Sequence, residues 1–321
     1  MPDVAVAVAS HDRPARLRFL LNALEEQTLE RERLEVVVAH DAPDGETARV
    51  LAEHPLREAG LLRPVPAPPG APLAALRNAG WRAARADLVA FTDDDCRPER
   101  DWLERLLAAA LERPGAVAQG RTLPDPDEAG LLWGAPWART VNVEPPSPWG
   151  ETSNIAYPTA LLEELGGFDE GLSLPAGEDA DLAARARAAG ADTAPVPEAV
   201  VYHAVHTPWL GRRVAWSWRW QQLAAVVGRH PELRRGLPGR IWWRREHAAL
   251  ALAGAGVVLA GRRRGGALLA APWLALALRH RGYGPRGLAR ATSELPGRAL
   301  VDASELAALA WGSLRHRSLL L

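Results

Sequence analysis

Val89-Ala90-Phe91-Thr92-Asp93-Asp94-Asp95-Cys96-Arg97-Pro98 is the stretch where a short apolar run meets three consecutive acids and then a proline. The apolar run predicts a buried strand, with the proline as its stop. Side chains alternate along a strand, so Asp93 and Asp95 share one face if the extended geometry continues, and Asp94 points the other way. Two carboxylates on one face suit a hard divalent cation such as Mg²⁺ or Mn²⁺. Open α/β sheets bind ligands at the carboxyl ends of their strands, which is where these acids stand. The same residues would also make an ordinary exposed acidic turn, so the rest of the chain decides.

Working outward, Val4–Ala9 is a Val-rich apolar run that predicts a buried parallel strand. The loop Ser10-His11-Asp12-Arg13-Pro14 follows, then a helix with Leu17, Leu20, Leu21 and Leu24 on one face. Leu34–Ala39 is a second apolar strand, ending in the acid-rich turn His40–Gly45, and Thr47–Glu53 is a second helix. Two rounds of strand, polar loop and helix open a doubly wound α/β domain. No G-x-G-x-x-G follows the first strand, so the dinucleotide fingerprint is absent. Residues 64–72 read as a Pro/Gly-rich loop, and a helix from about Leu73 carries Arg77, Asn78, Gly80 and Trp81. After the three acids come a helix over Trp102–Glu112, a strand over Val117–Arg121 and a loop-rich stretch over 122–150. Its tryptophans Trp133, Trp137 and Trp149 suit either stacking on a sugar or core anchoring. Thr159–Leu165 reads as a short helix stopped by Gly166-Gly167. Glu178-Asp179 opens an Ala/Arg helix that stops at Gly190, and Ala199–Tyr202 is a last short strand before His203 and His206.

Five of these segments, in this order, resemble glycosyltransferase family 2, and the resemblance covers about residues 3–206. VAVAVASHDRP is similar to the family's opening strand and polar loop, and VVVAHDAPDGET to its acidic nucleotide-binding loop. LRNAGWRAARADLVAFTDDDCRPERDWL is the most specific piece, joining an Arg-Asn-x-Gly helix to the metal-binding D-x-D region at the family's usual distance. SNIAYPTALLEELGGFDEGL resembles the segment that shapes the acceptor side, and GEDADLAARARAAG the Glu-Asp motif that carries the catalytic base. The resemblance implies the GT-A fold, a doubly wound, Rossmann-like mixed sheet flanked by helices, here with a mostly helical C-terminal extension. It implies a nucleoside-diphosphate-sugar donor and an inverting transfer to a hydroxyl acceptor.

Roles follow residue by residue. Asp95 is the expected metal ligand, with Asp93 sharing the metal or nearer the ribose, while Asp94 is left as a structural or exposed acid. A divalent cation would neutralise charge on the diphosphate leaving group. Asp179 is the base that the resemblance implies, with Glu178 supporting it. Both start a helix, whose N-terminus favours an ionised carboxylate. Asp181 reads as a helix-surface or capping group. Asp41 is expected at the nucleobase and Asp44 as a turn acid, although the loop is shorter than the family's form and His40 replaces an acid. Arg77 and Asn78 reach the nucleotide or brace the loop under the metal, and for Arg77 a structural salt bridge is an equal alternative. His203, in competition with His206, completes the metal site or touches the diphosphate. Cys96 reads as a small residue packed behind the site, because no His or basic partner is fixed beside it as for a nucleophile.

Composition bounds the rest. The 321 residues allow one large or two smaller domains. One cysteine rules out an intrachain disulfide and a multi-Cys zinc site, and the absence of Lys reflects base-composition bias. A net charge of -1 hides an asymmetry: residues 1–206 hold 19 Arg against 34 acids, and residues 207–321 hold 19 Arg against 5. The expected division is therefore a catalytic domain over 1–206 and a basic, Trp/Arg-rich helical extension over 207–321. In that extension Ala248–Ala260 and Ala267–Leu278 flank Gly261-Arg262-Arg263-Arg264-Gly265-Gly266, and a final helix runs over about Asp302–Leu314. No run reaches the ~18–20 apolar residues of a membrane span, and the N-terminus has no basic leader of a secretory signal. Arg and Trp around the apolar stretches suit an anionic headgroup layer. The alternative is a helical hairpin packed on the catalytic domain or on a second subunit of a homo-oligomer. No nucleic-acid module is present, and an acidic half would be repelled by a phosphate backbone.

The reading is a metal-dependent inverting glycosyltransferase, peripheral at the cytoplasmic face of the cell membrane and serving cell-envelope glycan or glycolipid synthesis. A nucleotidyltransferase lacks its Gly-rich phosphate loop here. A non-catalytic nucleotide-sugar-binding or scaffold protein of the same fold is the alternative that Asp95 and Asp179 argue against.

Overall fold

The computed structural model describes residues 1–42, 45–260, 266–282 and 284–321, so Asp44 and the Arg262–Arg264 run lie outside the described residues. The chain forms two compact units, one of residues 1–130 and 139–206, the other of residues 131–138 and 207–321.

The first unit is built on one mixed sheet of eight strands: β1 Val4–Ser10, β2 Leu34–His40, β3 Leu62–Pro66, β4 Leu88–Asp93, β5 Cys96–Pro98, β6 Val117–Pro124, β7 Ile155–Pro158 and β8 Thr193–His203. Their order across the sheet is β3-β2-β1-β4-β7-β6-β8-β5. β3, β2, β1 and β4 run parallel, β7 is antiparallel to β4 and β6, and β5 is antiparallel to β8. Alternate residues of β1 and β4 serve opposite faces. Val4, Val6, Val8, Leu88 and Ala90 pack in one buried layer with Leu17, Leu20, Leu21 and Leu24 of the helix Pro14–Glu25 and with Trp102, Leu103 and Leu106. Ala7, Val89 and Phe91 pack in the other with Trp81, Tyr157, Phe168 and Leu182. Phe91 meets Phe168 and Tyr157 edge to face, at centroid distances of 5.2 and 6.1 Å. Each such fully buried large side chain contributes about 1.5–3 kcal/mol relative to exposure.

The structure departs from the sequence expectations where prolines punctuate strands. Leu62–Pro66 pairs with β2 although Pro64 and Pro66 read as loop; it lies at the sheet edge, where a missing N–H costs least. β8 starts at Thr193, six residues before the expected strand, through Pro195 and Pro197, with a register shift in its pairing to β6 at Gly120/Arg121. Ile155–Pro158 is a further strand, and β6 continues to Pro124. Pro98 is not the stop of β4. That strand ends at Asp93, Asp94-Asp95 form a turn, and Pro98 closes β5.

The second unit is helical. Its final helix is Pro285–His316, far longer than the expected segment and carrying Pro296 internally. Buried polar contacts tie it to the rest of the unit. Glu305 accepts from Arg213 Nη2 at 2.6 Å and lies 3.2 Å from His247 Nε2 and 3.3 Å from Arg244 Nη1. Trp273 Nε1 donates to Asp302 at 3.0 Å. Arg281 pairs with Glu294 and donates to the carbonyls of Leu132, Ala135 and Pro136, which explains why residues 131–138 pack in this unit. The two apolar stretches become the helix Arg245–Ala260 and, after a 3₁₀ turn at Gly266–Ala270, the helix Ala271–Arg279. Among the described residues no helix is long and apolar enough to cross a membrane.

Candidate active site

Sheet register gathers the site. Ser10 pairs with His40, and Ala9 with Asp93, so the loops leaving β1, β2 and β4 open side by side at the carboxyl edge of the sheet. β5 returns antiparallel to β8 with Cys96 opposite His203, which carries that histidine to the acidic turn.

The turn splits the roles of the three acids. Asp93, at the strand end, accepts from Arg77 Nη2 at 3.1 Å. Asp94 is buried rather than exposed: it accepts from Ser10 Oγ at 2.9 Å and from the His11 backbone at 3.3 Å, and Arg13 Nη1 lies 3.0 Å away. Burial, with Asp95 adjoining and despite Arg13, pushes its carboxyl up to about 7. Asp95 Oδ2 accepts from Arg13 and from His206 Nε2 at 2.8 Å. Its Oδ1 accepts no hydrogen bond from the described residues and stands 3.4 Å from His203 Nε2. Burial alone would raise Asp95, but the His206 hydrogen bond, His203 and Arg13 together hold it well below the usual carboxylate range.

A divalent cation fits these residues. Asp93, Asp95, Cys96 and His203 present ligand atoms all within 4.8 Å of one another. The unused Asp95 Oδ1 is a hard oxygen aimed into that group. His203 Nδ1 lies 2.8 Å from the Ala204 carbonyl, to which it can donate, and this would leave Nε2 available to a cation beside Asp95. Cys96 is fully buried, and burial, reinforced by Asp93 and Asp95, pushes its thiol well up, as a packed neutral side chain requires.

Asp41, at the end of β2, is buried. Its Oδ2 accepts from His11 Nδ1 at 2.6 Å and from the Gly70 backbone at 3.1 Å, while Oδ1 has no partner among the described residues. Asp41 Oδ1 is thus a buried carboxylate oxygen with no partner among the described residues, chemically able to accept an N–H.

On the other side, Glu178 and Asp179 open the helix Glu178–Ala188 after Gly177 in the left-handed region. Glu178 is buried and receives Arg77 Nη1 at 2.5 Å. Arg77 therefore spans the two motifs, Asp93 on one side and Glu178 on the other. Asp179 is half-buried, and its Oδ1 accepts from the Ala180 backbone. Its ionisation runs against the helix-end expectation. Burial and the adjoining Glu178 outweigh Arg77 and push its carboxyl well above the usual range. Asp181 is buried, not on the helix surface, and holds Arg185 at 2.8 Å. Asn78 is likewise occupied. Nδ2 donates to the Phe168 carbonyl and to Glu170, and Oδ1 accepts from Trp81 Nε1 and the Phe168 backbone. With these hydrogen bonds made inside the protein, Asn78 braces the Gly167–Phe168 turn.

Sequence reasoning missed Ser10, His11 and Arg13 as partners of the acids. The available signal was the polar loop itself, placed directly after a buried strand of the same sheet.

A family model described as glycosyl transferase family 2 matches residues 5–160. Residues 5–160 thus form a glycosyl transferase family 2 domain segment. The chain is 31% identical over 172 residues to a pre-mycofactocin glycosyltransferase of Mycobacterium tuberculosis, covering 50% of this chain and 36% of that one. It is 27% identical over 224 residues to a validoxylamine A glucosyltransferase of Streptomyces hygroscopicus subsp. jinggangensis, covering 59% and 52%. It thus spans between about a third and a half of these curated relatives. In fold it is similar to the mannosyltransferase PcManGT from Pyrobaculum calidifontis, solved with GDP-Man and Mn²⁺, at a TM-score of 0.58 and 23% identity over 98% of this chain and 87% of that one. It is also similar to residues 1–349 of S. aureus TarS with UDP, at 0.53 and 16% over 99% and 92%. These neighbours place the eight-stranded sheet and its flanking helices in the GT-A fold.

Proposed function

We propose that this protein is a metal-dependent, inverting glycosyltransferase using a nucleoside-diphosphate-sugar, with residues 1–206 as its catalytic domain. The observation that carries this is the buried Arg77 guanidinium held between Asp93 and Glu178, which fixes the donor-side acids against the helix start that presents Asp179. Asp41 would take the nucleobase, and Asp95 and His203, with Asp93, would hold Mg²⁺ or Mn²⁺. When bound, the cation supplies positive charge to the diphosphate oxygens as they become the leaving group. Asp179 in its ionised form takes the proton from an acceptor hydroxyl. The acceptor oxygen forms its bond to the anomeric carbon as the bond from that carbon to the diphosphate breaks, with inversion. That neighbours of the same fold were solved with GDP-Man and Mn²⁺, or with UDP, supports the donor class.

The test is a thermal-shift screen of nucleoside-diphosphate-sugars with Mn²⁺, followed by transfer assays on the hits. Asp95→Asn should abolish the metal-dependent shift and turnover. Full transfer with the metal chelated would sink the metal assignment. A protein that binds a donor but never transfers or hydrolyses it would favour a non-catalytic binding protein of this fold.

Residues 207–321 would bring the enzyme to the cytoplasmic face of a membrane, with a lipid-linked or envelope glycan as acceptor. Supporting this, Val257, Val258 and Leu268 are each about three-quarters exposed. The described residues 248–260 and 266–278 contain no charged side chain, yet the segment between them in sequence carries three arginines.

A further inference from the structure

Asp95 is used from two sides. Arg13 and His206 occupy Oδ2, while Oδ1 faces His203. Arg13 also reaches Asp94 at 3.0 Å, and Arg77 holds Asp93 at 3.1 Å. Arg13, from the β1 loop, is thus shared between Asp94 and Asp95, and Arg77, from the helix Leu73–Ala83, between Asp93 and Glu178. We propose that Arg13 sets the order in which the site fills: it keeps the acidic turn too weakly negative to hold a divalent cation alone and makes the donor's diphosphate part of the cation's site. This rests on the metal reading above and adds to it a positioning residue that acts through Asp95.

The physical argument is charge count. Affinity of a hard cation for an oxygen site rises with the number of anionic ligands. A guanidinium in contact with two of the three carboxylates offsets part of that charge, and a diphosphate restores it. Coupling of this kind is reciprocal, so the cation strengthens diphosphate binding by the same factor that the diphosphate strengthens cation binding. The fold holds Arg13 in place. Asp12 adopts a left-handed conformation at φ 45°, and Pro14 begins the next helix, so Ser10, His11 and Arg13 all turn back to the acids. The Arg13 side chain is 41% exposed, so replacing it opens no core cavity.

The experiment is calorimetric or EPR titration of Mn²⁺ on the full chain, alone and with UDP or GDP as the diphosphate probe. Wild type should bind Mn²⁺ alone weakly and at least about tenfold more tightly with the better diphosphate. Arg13→Gln should bind Mn²⁺ alone about tenfold more tightly, equivalent to ~1.4 kcal/mol, and its enhancement by diphosphate should shrink by about the same factor. Arg13→Lys should behave as wild type. If Asp95→Asn abolishes Mn²⁺ binding but Arg13→Gln leaves the affinity for Mn²⁺ alone unchanged or weaker, the role of Arg13 is overturned and the metal reading stands. If no variant binds Mn²⁺ with either diphosphate, both fall. Wild type alone gives a check that needs no variant to fold: Mn²⁺ bound equally well with and without diphosphate overturns the proposal.

Discussion

Asp179 is asked to be a base where the structure favours its neutral form. Burial and Glu178 raise its carboxyl above the ordinary value near 3.8, and a raised carboxyl carries a signed consequence for stability. The neutral folded form is fully favoured below the unfolded value, and that contribution is lost as pH rises through the folded one. At neutral pH Asp179 is therefore a cost to folding, which the base role proposed above would account for. Asp179→Asn should raise the melting temperature at pH 7 while stopping transfer; unchanged transfer would remove Asp179 as the base. Glu178→Gln removes the like charge beside Asp179 and leaves Arg77 shared between Asp93 and Asp179. The acidic limb of kcat/KM should then move to lower pH, and a limb moving upward would contradict this account.

Elements hold these residues through turns as much as through strands. Gly167, at φ 75°, is gripped by Asn78 and Trp81 on one side, where a Cβ would meet atoms at 2.4–2.5 Å, and its carbonyl accepts from Arg185. Gly167→Ala should cost about 2 kcal/mol or more, from the left-handed conformation and the clash together, seen as a lower urea midpoint. In the helical unit Glu305 is completely buried. Burial would raise its carboxyl, but His247, Arg244 and Arg213 hold it well below the ordinary range. Its stabilising contribution is present above the unfolded value near 4.5 and is lost as pH falls toward the folded one. Glu305→Gln should destabilise by about 3 kcal/mol at pH 7 and flatten the acid limb of the stability curve.

Legibility divides along the same line. The leucines of Pro14–Glu25, the helix Trp102–Glu112 and the stop at Gly166-Gly167 follow from periodicity and local backbone chemistry, and they stand where expected. β3 and the start of β8 were hidden because an edge position decides whether a proline is tolerated, and edges belong to tertiary structure. The burial of Asp94 and Asp181, and the occupied Asn78, depend on partners 84, 4 and 90 residues away. Arg185 at i+4 was within reach of a helical pattern; Ser10 and Phe168 were not.

For the whole molecule, the charge division between residues 1–206 and 207–321 predicts salt-sensitive adsorption through the basic part. Cosedimentation with phosphatidylglycerol vesicles should exceed that with phosphatidylcholine. The triple change Val257→Asp, Val258→Asp, Leu268→Asp should reduce it with little change in melting temperature. Unaltered partitioning would assign those side chains to protein contacts.

The grip of Arg281 on the carbonyls of Leu132, Ala135 and Pro136 bears on how the chain can be divided. Because residues 131–138 leave one unit, pack in the other and return, the polypeptide passes between the units three times, near residues 130, 139 and 206. A fragment ending at His206 would keep residues 131–138 but lose Arg281, which holds their carbonyls, and Gly297 of the final helix, against which Trp137 packs. Such a fragment should aggregate on expression, whereas one that also replaces 131–138 with a short polar linker should remain monodisperse in size-exclusion chromatography. Exchange of the C-terminal part between homologous proteins should require this eight-residue excursion to travel with it.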